Sequence, residues 1–305
     1  MKLLIPVIVA VSLAATSQAK APPNRAAPPT WSRDVLDAFF DDVRDHLVGE
    51  RPAPASSTNT QLEVTPATDG EQSAGGFAWS KRLSAETLSQ EIKRVANSLR
   101  TPLSNPSRFK SGGFQECRQG FAQLAVLFGI LAEHDKKPRW QTEAAGLRTA
   151  FAKTAANCKV ANDQSYRDAT LRKQDLDGLL RGEKPMVEAE ELQHWSELAD
   201  RELVMRWMEA SFEKVGPMLA NEKAFSRESD KLHHETQLLS ALGEIIQRED
   251  YDYWDDDSFL EYARALQTSA SEVSEAAGSG DYQRARTAAG RIGQSCSQCH
   301  EDYRG

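Results

Sequence analysis

Apolar residues recur at intervals of three and four along most of the chain, the period of a helical face. The first such stripe runs from Trp31 to Val48 through Val35, Phe39, Val43 and Leu47, and Pro52 and Pro54 end it. Residues 52 to 76 hold Pro, Ser, Thr, Asn and Gly without a period, so a long surface loop is expected over about 50–76. Further helices are predicted at about 84–99, 114–133, 140–156 and 163–180, with Ser84 capping the first. Gly182 and Pro185 then mark a boundary. Beyond it the pattern predicts four more helices, at about 190–219, 226–247, 256–277 and 281–303. Strand alternation is nearly absent and the links are short. The expected fold class is all-α, two antiparallel helical bundles. A helical solenoid is the alternative, although no short repeat of fixed period is present.

The first residues follow a different pattern. Met1 and Lys2, the apolar run Leu3 to Ala15 and the small-x-small site Ser17-Gln18-Ala19 read as a signal peptide over 1–19. The run is shorter than the ~20 residues of a membrane span, and no other stretch is apolar enough. The mature chain is therefore expected to be periplasmic or otherwise exported, with no transmembrane segment. Its domains are expected at 20–185 and 186–305. The formal charge is -8, and removing Lys2 with the leader leaves -9. There is no basic stripe, which excludes nucleic acid as a partner class.

Cysteines carry the chemistry. Cys296-Ser297-Gln298-Cys299-His300 is a CxxCH segment, in which two thiols add across haem vinyl groups and the histidine meets the iron. A thioredoxin-like reading needs a βαβ setting, and a structural zinc site needs a further ligand group. One covalent haem c is expected, on Cys296, Cys299 and His300, and the region before about 185, where His134 has no paired cysteines, is expected to hold none. The motif closes the last helix, so the group must slot between helices upstream. Cys117 and Cys158 flank the tight link at 135–138 at similar distances. If that link is a hairpin they share one end of a helix pair, and in an oxidising compartment a disulfide between them is expected.

The closing stretch, Cys296 to His300 followed by Glu301, Asp302, Tyr303 and Arg304, carries a resemblance. On it, the part from about 190 to 305 resembles the cytochrome c-prime and cytochrome c556 family. The resemblance implies an antiparallel four-helix bundle with haem inside and the first helix on the distal side. It implies that Arg304, four after the histidine, lies near the haem edge. Arg201, Met205, Met208 and Phe212 match the family's first helix. Arg201 is thereby implied to contact a propionate and Met205 to be the sixth iron ligand, with Met208 its competitor. Spacings of four, three and four do put these four residues on one helical face, and core packing alone also accounts for the methionines.

The expected function is a periplasmic single-electron carrier working with a redox partner protein of unknown identity; a homodimer is compatible. The alternative is a five-coordinate haem protein that binds or senses a small gas such as NO or CO. No enzyme activity is expected: a peroxidase needs a distal acid–base group, and the face read here is Met and Phe. His194, His233 and His234 are read as surface or core-edge residues rather than iron ligands. The acidic aromatic stretch Tyr251 to Asp257 is read as a helix cap or a docking surface.

Overall fold

The computed structural model describes residues 77–189, 191–192 and 194–304. The expected leader, the stripe from Trp31 to Val48 and the loop at about 50–76 lie outside the described residues. Among the described residues eight main helices follow one another: α1 (Ala85–Ser98), α2 (Phe114–Glu133), α3 (Gln141–Asn157), α4 (Asp163–Arg181), α5 (Arg201–Met218), α6 (Glu222–Ile245), α7 (Asp257–Ser279) and α8 (Tyr282–Tyr303). There is no strand among the described residues. The helices gather into two clusters, α1 to α4 and α5 to α8.

Capping explains most of the starts. Ser84, Asn162, Asn221, Asp256 and Asp281 each accept a backbone N–H of the turn they precede, opening α1, α4, α6, α7 and α8. Such a side-chain cap is worth ~0.5–2 kcal/mol. Gly182 closes α4 in the left-handed region, φ 102°, where a side chain would be strained. α5 differs from the expected helix at 190–219. Trp195–Glu197 form a separate 3-10 turn and the helix begins only at Arg201. Tertiary bonds decide this: the buried Tyr251 hydroxyl donates to the carbonyls of Trp195 and Ala199, at 3.2 and 3.0 Å, and takes them from a helical ladder.

α2 is apolar nearly all round and is buried to match, with every residue from Leu124 to Leu131 inside. It packs on α1, α3, α4 and α5. In the second cluster each helix packs on the next, α5 on α6, α6 on α7 and α7 on α8. Both clusters contribute to one continuous hydrophobic core. The stretch after Gly182, where a domain boundary was expected, is non-helical from 183 to 189. Polar bonds cross between the clusters. Gln237 accepts from the Ser84 N–H at 3.0 Å, and His234 Nε2 lies 2.9 Å from Glu91 Oε2.

The expected Cys117–Cys158 disulfide is corrected by the structure: both thiols are free and fully buried. The helix pair does bring them near each other, enough for Cys158 to disfavour ionisation of Cys117. Being at one end of a helix pair does not aim two Cβ vectors at each other as a disulfide requires. Burial also raises both thiols, Cys158 to about 12 and Cys117 further, so the thiolate that drives exchange is suppressed. Native protein should therefore resist alkylation at both positions. Denaturation without reductant should release both to iodoacetamide, as peptide mapping would show.

Glu91 is buried without exposure. Burial opposes its ionisation, but hydrogen bonds from Arg94 and His234 outweigh that and hold its carboxyl at about 2 instead of 4.5. A depressed carboxyl stabilises the fold fully above its unfolded value and loses that contribution as pH falls through the folded one. Glu91→Gln should cost roughly 2–3 kcal/mol at pH 7, a figure discounted because Arg94 is half exposed. Urea unfolding should show wild type and variant converging as the pH drops from about 4.5 to about 2.

Candidate functional site

α8 sets the site. Cys296, Cys299 and His300 lie at i, i+3 and i+4, so their side chains leave one face of the helix within about a turn. All three line a cavity of about 190 Å³ between the four helices of the second cluster. α5 supplies Met205, Met208 and Phe212 to the same cavity, and α7 supplies Phe259, Ala263 and Leu266. Leu239 of α6 and Ile246 just beyond it close the back. α5 approaches α8 closely at one point: a Cβ on Gly293 would stand 3.3 Å from the Phe212 ring.

A second cavity of about 520 Å³ adjoins the first and shares Met205, Glu209, Cys299 and His300 with it. Its other walls are charged, with Arg201, Arg206, Asp252 and Arg304 among them. The Arg201 guanidinium stands 4.8 Å above the Tyr253 ring and 5.4 Å above Phe259, and 3.6 Å from the Asp252 carboxylate. It also counteracts the burial that raises the Cys299 thiol. Burial and then Cys299 push Cys296 up to about 11, so both thiols are protonated at neutral pH.

The end of α8 is pinned. The Tyr303 hydroxyl donates to Asp256 at 2.6 Å, and that bond pushes the phenol up to about 12. Tyr262 of α7 donates to Asp302 at 2.8 Å, and Ser295 donates to the Tyr262 carbonyl at 2.7 Å. The acidic aromatic stretch thus caps α7 through Asp256 and packs Tyr253 on Tyr303, ring centroids 4.9 Å apart.

Residues 196–304 match the family model of Cytochrome C'. The match covers the second cluster and somewhat more than a third of the chain. No curated protein and no solved structure matches. The cytochrome C' match implies a c-type haem in this region. The residues fit such a group. The His300 imidazole is exposed at the cavity rim and has no hydrogen-bond partner among the described residues, so either ring nitrogen is free to ligate. Every other described histidine but His194 is engaged: His134 with Leu83, His233 with Ser274 and Gln237, His234 with Glu91. No group of three or more His, Cys, Asp or Glu is arranged to hold a metal ion among the described residues, so α8 offers no cage without a cofactor. The inner cavity alone is smaller than the ~300 Å³ at the low end of small-molecule sites. The walls best able to yield are Met205 and Met208, which are unbranched.

The residues expected from the sequence to surround a haem line two adjoining cavities. Met205, Met208, Phe212, Cys296, Cys299 and His300 line the inner cavity, and Arg201 and Arg304 line the outer one. Met208 is the more buried methionine, whereas Met205 is half-buried where the two cavities meet. Sequence reasoning missed Phe259, Ala263 and Leu266, although their spacing of four and three was a signal. It also missed Glu209, an exposed carboxylate four residues after Met205. Filling the close approach tests the wall: Gly293→Leu should push Phe212 out of place and cost ~1–3 kcal/mol by overpacking, measured by urea unfolding.

Proposed function

We propose that the region 186–305 binds one haem c covalently through Cys296 and Cys299 and that the protein carries single electrons in an exported compartment. The observation that carries this reading is the placement of a CxxCH segment along an apolar interhelical cleft, with the histidine uncommitted. A haem bound there supplies an iron that exchanges one electron. Every other task falls to the chain. The two cysteines on successive turns anchor one edge. His300 presents a ring nitrogen from the α8 side, and Met205 a neutral thioether from the α5 side, a soft donor that favours the reduced metal. Met208, Phe212 and Phe259 keep water out of the inner cavity, and the low dielectric strengthens every charge interaction there. Arg201 and Arg304 stand at the charged mouth, where carboxylates of a bound group would meet them.

Export follows in this proposal from the leader at 1–19, and no helix among the described residues is long and apolar enough to cross a membrane. A redox partner protein is part of the proposal; its identity is not. One observation favours the second reading, binding of NO or CO. Met205 sits at the junction with the wider cavity, so a rotation of that unbranched side chain would open the α5 side of the cleft to a small ligand.

The experiment has two stages. The haem should survive acid–acetone extraction at one per chain by intact mass, and release of the haem would overturn covalent attachment. The oxidised protein should then be low-spin with the weak long-wavelength band of methionine ligation. Met205→Ala should lose that band and gain rapid CO binding when reduced, while Met208→Ala should keep both properties of the wild type. A wild type that is already high-spin and binds CO quickly would replace electron transfer by gas binding.

A further inference from the structure

The helix that carries Met205 starts in a grip supplied by the other cluster. Asp200 occupies the cap position of α5 yet makes no capping bond. Its carboxylate instead accepts from Arg118 of α2 at 2.6 Å and lies 3.4 Å from the Lys159 ammonium, just beyond α3. Gln119 of α2 donates its side-chain amide to the Leu203 carbonyl, at 3.0 Å, within the first turn of α5. Immediately upstream, α2 comes so near that a Cβ on Gly129 would stand 2.6 Å from Leu198 and 3.1 Å from the Trp195 ring. Tyr251 holds the Trp195 and Ala199 carbonyls, and Asp250 accepts the Ser196 N–H.

Five of the eight main helices among the described residues are capped by their own flanking residue. At α5 the local sequence supplies a capping residue of the preferred type, and the fold turns it outward onto two cations of the first cluster. Local helix stability is thereby exchanged for a fixed position relative to α2.

The geometry points to a role for the first cluster: it is a positioning device that sets where α5 lies across the cleft from α8, and so whether Met205 reaches the iron. Arg118, Gln119 and Lys159 are its positioning residues, and none of them lines either cavity of the site. The inference rests on the reading that the cleft holds haem with Met205 as a ligand. Ligand constellations must be held within ~0.5 Å of the productive geometry. A helix whose first turn is tied at a carboxylate and a carbonyl meets that demand better than one free to slide or fray.

The test uses the full-length holoprotein carrying Arg118→Gln together with Gln119→Ala. Haem per chain should stay at one. Hydrogen exchange at the amides of 201–206 should quicken. The CO association rate of the reduced protein should rise about tenfold, the ratio that corresponds to about 1.4 kcal/mol, and high-spin character should appear when oxidised. Arg118→Lys, which keeps a cation beside Asp200, should restore most of the wild-type rate. Faster exchange with an unchanged CO rate and spin state would overturn the inference, as would unchanged exchange. If the wild type proves high-spin, methionine ligation fails on its own evidence; the device then stands only if the double variant still changes the CO rate. If the double variant does not fold, the same readouts on Lys159→Ala decide, because that side chain is 55 % exposed and no core packing depends on it.

Discussion

Side chains at i, i+3 and i+4 leave a helix on one face, and Cys296, Cys299 and His300 obey that rule at the end of α8. Whatever they hold must lie along that face, and the remaining three helices must wall it. The rest of the second cluster follows from this requirement. α5 and α7 face the motif with apolar residues at spacings of three and four, and α6 closes the back. Gly293, one turn before Cys296, lets the Phe212 ring come within 3.3 Å of where its Cβ would stand. The end of α8 would fray if left alone, so Tyr303 and Asp302 tie it to Asp256 and Tyr262. Tyr253 then serves both sides of the cleft, one ring meeting Tyr303 of α8 and carrying Arg201 of α5.

Much of this was legible in the sequence because helices and caps are local. Ser84 could be named as a helix start from residue type alone, the start near Asp256 or Asp257 likewise, and Gly182 as a stop. The CxxCH segment needed no fold to be read. The face 201–205–208–212 followed from spacing, and the matching region at 196–304 agrees with the resemblance drawn from those residues. What failed was decided by tertiary contact. The helix expected from about 190 begins at Arg201, because Tyr251, fifty residues away, takes the carbonyls of Trp195 and Ala199. The expected disulfide failed because spacing fixes which end of a helix pair two cysteines share and leaves their directions free. Glu91 carried no signal at all: an acidic residue on an amphipathic helix reads as exposed until His234 is seen beside it.

The two clusters meet at two kinds of joint, and they do different work. Glu91, Arg94 and His234 tie α1 to α6 through a buried charge. His234 lies more than a helical turn before Leu239, where α6 first touches the cleft, so a change there is felt mainly as global stability. The Asp200 joint is different in kind. It is half exposed, and surface ion pairs add little to stability, so stability is a weak reason for its arrangement. Its place in the chain is the stronger reason. Arg201 follows directly, and Met205 lies five residues on, all within the first turns of one rigid helix. A displacement of Asp200 is therefore carried to the cleft along the helix axis with little loss, whereas Glu91 sits on α1, which lines neither cavity of the site. The first helix of the region that the family model matches, somewhat more than a third of the chain, is in this way held by a helix that precedes it.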